Sequence, residues 1–225
     1  IQDIIKHGYD YHRSGELSKA RLIKTFVGRL STQVSYYHLS SLLMIEAQDW
    51  KEVSTLLETA TKLYPCSFLL ALQHIKILRR RYEWDAIIRF SAEFRLTHGT
   101  HYGLALQEGM ALLATGRHDE AISLLEPFIE KHASVPADQL LHIRTIYGLC
   151  LRRAKRTQDA KRQFQLAFRS GLESAGIHLA NLQLEMKWPD VALALYKRLE
   201  NGSFSLYAQL GMYRSFQCLE QEPNA

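Results

Sequence analysis

His98 and His101, with Gly99 and Thr100 between them, are the one close pair among ten histidines. Imidazoles at that spacing are the raw material of a metal site. Such a site needs further ligands in fixed geometry, so the pair reads as a polar loop between helices, with no metal assigned. Asp119 and Glu120 are adjacent carboxylates, the residue type of general acid and base work. Their position at the entry to an apolar helical run makes them a helix start instead, where a carboxylate favours the positive end of the dipole. Cys66, Cys150 and Cys218 are far apart, odd in number and without a CxxC pair. They support neither a disulfide framework nor a zinc site and point to a reducing, cytoplasmic-type compartment. GxxxxGK[ST], GxGxxG, HExxH and GxSxG are all absent. No catalytic residue and no cofactor is assigned, and the expectation is a protein that is not an enzyme.

Composition narrows the fold. The chain has 225 residues, 47% hydrophobic and 23% charged, enough for a sizeable core and too apolar for a disordered segment. The net charge of +5 permits an acidic partner without demanding nucleic acid. With only 12 Gly and 5 Pro, few turns are specified, which disfavours an all-β barrel or sandwich. No apolar stretch reaches the roughly 18–20 residues of a membrane span. The chain starts at Ile1 without Met or a signal-peptide layout, and we expect a piece of a longer protein.

The sequence repeats itself. Gly8, Tyr11, Gly15 and Ala20 are spaced by 3, 4 and 5, and so are Gly109, Leu112, Gly116 and Ala121. Gly148, Leu151 and Ala160 follow the same register, and Trp-x-x-Val recurs at Trp50 and Trp188. The third unit, with Trp84, Ala86 and Phe90, is the poorest, and its turn reads about one residue short. Ala105 to Ala114 consists mostly of helix formers, and Ala121, Ile122, Leu125, Phe128 and Ile129 recur at helical spacing. Gly8, Gly109 and Gly148 fall inside helices, where Gly costs about 1 kcal/mol against Ala, a cost that makes sense where a partner helix crosses closely. Gly15 and Gly116 suit the residue just past a helix end. Asp85, Asp119, Asp159 and Asp190 open second helices. Trp50, Trp84 and Trp188 share one phase at the turn into a second helix and predict packing between units.

At these positions the chain resembles the tetratricopeptide repeat family, whose period is about 34 residues. The resemblance covers essentially the whole chain, though no unit matches at every signature position. Units fall near 1–33, 34–67, 68–101, 102–140, 141–171 and 172–203, with a partial unit at 204–225. The long step places an insertion at Ala133 to Asp138. The implied fold is all-α, a single right-handed superhelical solenoid of antiparallel helix pairs, about six units plus a terminal helix, with a concave groove lined by the first helices.

In that family the groove is usually lined by positions 2, 5, 9, 12 and 13 of each unit. Carried over, they give Tyr9 and Arg13; Lys76, Arg79 and Arg80; Leu106, Met110 and Leu113; and Arg152 and Arg153 as the peptide-binding candidates. Cations outnumber Glu46 and Glu173 there, and Arg forks suit carboxylates. The apolar Leu106, Met110 and Leu113 lie between them as a place for anchor side chains. The family's chaperone-tail clamp uses Lys and Asn where this chain has Ile5, Tyr9 and Leu39, so that specificity is not expected.

The leading expectation is therefore a non-catalytic protein-interaction scaffold that holds a peptide, acidic with a few apolar residues, within a multiprotein complex. The alternatives are a basic nucleic-acid-binding solenoid, which would need stacking aromatics between its cations and has mainly Tyr9 to offer, or an accessory domain of a larger enzyme or regulator. Leu206, Leu210 and Phe216, on a last helix with no closing partner, predict a sticky end capable of self-association.

Overall fold

The computed structural model describes residues 2–28, 34–46, 48–131 and 135–221. Its helices are α1 (Gln2–Arg13), α2 (Leu17–Gly28), α3 (Val34–Glu46), α4 (Trp50–Leu63), α5 (Phe68–Arg80), α6 (Trp84–His98), α7 (Tyr102–Ala114), α8 (His118–Glu130), α9 (Ala137–Arg153), α10 (Thr157–Arg169), α11 (Glu173–Glu185), α12 (Pro189–Leu199) and α13 (Ser205–Gln221). Among the described residues there is no strand. The chain is an all-α solenoid of helical hairpins. It divides into two compact units, Ile1–Thr100 with α1 to α6 and His101–Ala225 with α7 to α13.

Each of the first six hairpins turns in the same way. The residue past the first helix adopts positive φ: Gly15 (79°), Gln48 (57°), Tyr82 (59°), Gly116 (80°), Lys155 (62°) and Lys187 (61°). The next residue's N–H reaches back to a carbonyl five residues earlier, as from Glu16 to Tyr11, Glu83 to Leu78 and Arg156 to Leu151, at 2.8–3.0 Å. This is the Schellman closure, which satisfies carbonyls left open at a helix end. The third turn is thus complete and not one residue short. It was hidden because Tyr82 occupies a place where Gly is the usual signal.

The same register explains the core. Seven residues before each left-handed residue stand Gly8, Ser41, Ile75, Gly109, Gly148 and Ala180, all buried. Five residues after it stand Ala20, Val53, Ile87, Ala121, Ala160 and Ala192, each at most 1% exposed. Small residues at these two places let paired helices approach closely. A methyl group on Gly109 would lie 2.9 Å from Leu125 Cδ1, and one on Gly148 would lie 2.6 Å from Phe164 Cε1. Only the third hairpin puts large residues, Ile75 and Ile87, at both places, which is why its signature is weakest.

In the first unit the core runs from Ala20, Leu39 and Leu43 to Val53, Leu57, Ala60, Leu70 and Ile77. There α1 packs on α3 and α3 on α5, whereas α2 and α4 each bridge between successive first helices. The first helices therefore form the closely stacked face. In the second unit Phe164 and Tyr196 are fully buried, each worth roughly 1.5–3 kcal/mol of apolar burial. The Tyr196 hydroxyl donates to Asn181 Oδ1 at 2.7 Å, and burial pushes its pKa up to about 12. Asp85, Asp119, Asp159 and Asp190 each lie in the first turn of a second helix. Of the expected insertion, Ala133 and Ser134 lie outside the described residues. Val135 is buried and Pro136 precedes α9.

Candidate functional site

On the stacked face of the first unit, Tyr9 is tied into a polar chain. Its hydroxyl donates to the Ser35 carbonyl at 3.0 Å and lies 2.9 Å from His38 Nδ1. His38 Nε2 lies 2.8 Å from Gln73 Nε2. One arrangement accounts for these three contacts: Gln73 donates to Nε2, and Nδ1–H donates to the Tyr9 oxygen. Burial pushes Tyr9 up to about 12 and holds His38 down to about 4, with repulsion from Lys76 and His12 adding to the latter. The chain stitches α1, α3 and α5 together, so Tyr9 is half-buried structure as much as surface.

The cations differ in what they touch. Arg13 is largely exposed and lies 3.7 Å from Asp10 within its own helix. Lys76 and Arg153 are exposed. Arg79 and Arg80 enter an open crevice of about 740 Å³ together with Trp50, Lys51, Arg81, Tyr82 and Trp84. The Arg80 guanidinium lies 4.8 Å over the Trp50 ring. Arg81 is bound to Glu83 at 2.7 Å and donates to Ser54 Oγ at 3.4 Å. Tyr82, 76% exposed, meets the Trp84 ring edge-on at 5.9 Å.

In the second unit Arg152 and Arg153 line a crevice of about 490 Å³ with Leu113, His118 and Leu149. There Arg152 forks onto the Glu185 carboxylate, its Nε donating to Oε2 at 2.8 Å and its Nη2 bonding Oε1. Leu106 is only 8% exposed and belongs to the core, whereas Met110 and Leu113 are half-buried. The apolar stretch expected between the cations is thus reduced to two residues, because Leu106 faces inward on α7.

The other chemically suggestive residues have local roles. His101 accepts the Gly103 N–H at 3.1 Å at the start of α7, and His98 Nδ1 lies 2.6 Å from Thr97 Oγ1. Glu120 is gripped by Arg117 through two bonds of 2.7 Å, which lowers its pKa. Trp188 is 47% exposed, with Lys161 4.7 Å over its ring. Among the described residues no three of His, Cys, Asp and Glu come together as a metal site. The cysteines are free, with Cys66 and Cys218 exposed and Cys150 buried. No helix among the described residues is long and apolar enough to cross a membrane.

Three residues of the first crevice are not among the sequence candidates: Lys51, Arg81, and Tyr82 as an aromatic wall. The signal for the last two was the run Arg79-Arg80-Arg81-Tyr82-Glu83-Trp84, in which three cations lead into two rings across a turn.

No protein-family model matches the chain, and no curated protein matches it in sequence. Solved structures do match in fold. A tetratricopeptide repeat protein from Parabacteroides merdae superposes with a TM-score of 0.72 at 11% identity, over 99% of this chain and 93% of that one. PilF from Pseudomonas aeruginosa gives 0.75 at 12% identity, over 97% and 96%. YrrB, described as a TPR protein with an unusual peptide-binding site, gives 0.61 at 12% identity, over 87% and 96%.

Proposed function

We propose that this chain, a tetratricopeptide-repeat solenoid, is a non-catalytic scaffold that holds an acidic segment of a partner protein against its first-helix faces, as one component of a larger assembly. The observation that carries the reading is the recurrence of Arg two residues before the left-handed turn in alternate hairpins. Arg13, Arg80 and Arg153 share that position and all are exposed. Cations that recur at one phase of the repeat suit an extended or helical chain better than a compact ligand. Lys76 adds a charge to the same face in the first unit, and Met110 and Leu113 supply apolar contacts in the second. The peptide-binding site described for YrrB supports the use of this fold for segments of chain. Self-association through α13 belongs to the same reading: Leu206, Leu210 and Phe216 are 73%, 49% and 47% exposed. Exposed Cys66 and Cys218, both free, suit a reducing compartment.

The test is titration calorimetry with synthetic 15-residue peptides, Glu-rich with interspersed Leu, against parent protein and the Lys76→Glu, Arg153→Glu double variant. Binding by the parent and a loss of at least tenfold in the variant are expected. Equal affinities, or no binding by any acidic peptide, would overturn the groove assignment.

A further inference from the structure

We infer that the crevice at the third hairpin turn is a carboxylate pocket with an aromatic wall, which takes a Glu or Asp of a partner peptide together with a neighbouring apolar or aromatic side chain. The inference rests on the protein-binding reading and adds a site and a side-chain specificity to it. Three observations converge. First, the Arg80 guanidinium lies over the Trp50 ring at 4.8 Å, a cation–π contact that restricts where it can go. A guanidinium restricted by such a contact loses less freedom when it takes a carboxylate in a two-bond fork. Second, exposed Lys51 lines the same crevice as Arg79, Arg80 and Arg81, no carboxylate stands among the described residues that line it, and nearby Glu83 is bound by Arg81. Positive charge is therefore in excess at the opening. Third, Tyr82 holds a left-handed backbone conformation with φ 59°, a place where a bulky residue is strained, yet its ring is 76% exposed and forms a wall beside Trp84.

The second unit shows what this phase of the repeat can seat. Arg152 and Arg153 stand three and two residues before Lys155, as Arg79 and Arg80 stand before Tyr82. There Arg152, the counterpart of Arg79, takes the Glu185 carboxylate in a fork. The ligand of the first crevice is a peptide and not a nucleic acid strand. One face of Trp50 is already covered by Arg80, and the Trp84 ring meets Tyr82, so the run of open rings that stacked bases require is missing.

The experiment uses full-length protein with Trp188→Phe, so that tryptophan fluorescence reports on Trp50 and Trp84. The probes are the peptide Glu-Glu-Phe-Glu-Glu-Phe, its Gln-for-Glu and Ala-for-Phe versions, and a 15-nucleotide oligo-dT. Saturable quenching by the first peptide is expected, weakened at least tenfold by Arg80→Ala and severalfold by Lys51→Ala. The Gln version should bind at least tenfold more weakly and the Ala version severalfold more weakly. Arg80→Lys should recover only part of the affinity, because it restores charge without the fork, and Lys197→Ala, an exposed cation of α12, should change nothing. Tighter binding of oligo-dT than of the peptide would overturn the inference, as would equal affinity in Arg80→Ala and Lys51→Ala. Acidic-peptide binding lost only on changing Lys76 and Arg153 would end the crevice assignment and leave the groove reading standing. Loss only on changing Arg80 and Lys51 would do the reverse.

Discussion

Gly148 on α9 lies so close to the Phe164 ring on α10 that a methyl group would come within 2.6 Å of Cε1 and 3.0 Å of Cδ1. In an open helix, Gly→Ala stabilises by about 1 kcal/mol. Here the sign reverses, because a fully buried ring cannot step aside and overpacking costs about 1–3 kcal/mol. Gly148→Ala should therefore lower the melting temperature by a few degrees, at about 2–4 °C per kcal/mol for a chain of this size. Gly109→Ala should be milder, since the obstacle there is the flexible end of Leu125, whereas Gly109→Leu should cost several kcal/mol. Thermal melts followed by circular dichroism check the order. A rise in melting temperature for Gly148→Ala would contradict the close crossing.

Four of the six shared turns place a side chain where glycine is preferred. Lys155, at φ 62°, is exposed, and its left-handed backbone works against it. Replacing it with Gly should stabilise the protein by about 0.5–1 kcal/mol, read as an increased denaturation midpoint with an unchanged slope. Gly116→Lys at the equivalent turn should lose a similar amount. If both substitutions act in the same direction, the shared turn geometry is not what sets their effect.

The periodicity of Gly, Ala and Trp was enough to read the hairpin solenoid, because small residues mark where helices cross and those crossings repeat. Glycine was a poor guide to the turns. Gly15 and Gly116 announced theirs, while Gln48, Tyr82, Lys155 and Lys187 adopt the same backbone without a signal in residue type. The candidate site was legible as a set of cations but not as contacts. Nothing in the sequence says that Tyr9 is spent on Ser35 and His38, that Leu106 turns inward, or that Arg152 is gripped by Glu185 a repeat away. Those facts depend on which neighbour the stacking brings alongside.

His38 gives the stability a pH dependence of known sign. An unfolded His gains its proton near pH 6.5, whereas the folded one resists until about pH 4, because burial disfavours the charged ring and Lys76 and His12 repel it. The unfolded chain thus binds more protons between those values, and stability falls as pH drops from about 6.5 towards 4. His74, His101 and His178, also lowered by burial, act in the same direction. His38→Gln removes one titrating group and leaves the other three. Its melting temperature should fall less between pH 6.5 and 4.5 than that of the parent. Parallel curves would mean that His38 titrates normally in the folded protein.

On α13 the inward face is made of Ala208, Gly211 and Ser215, all buried, with Gly211 set against the Tyr196 ring. The outward face carries Leu206, Leu210 and Tyr213, which are 73%, 49% and 60% exposed and follow one another at intervals of four and three residues. That is the pattern of a buried helix stripe turned to the surface. If it drives self-association, sedimentation velocity should show a concentration-dependent shift to a larger species. Leu210→Lys with Tyr213→Lys should abolish the shift. The same pair should leave the melting temperature of dilute protein nearly unchanged, because neither side chain is needed for packing within the chain. A parent protein that sediments as a single species at every concentration would remove self-association from the proposed function while leaving the peptide-binding faces untouched.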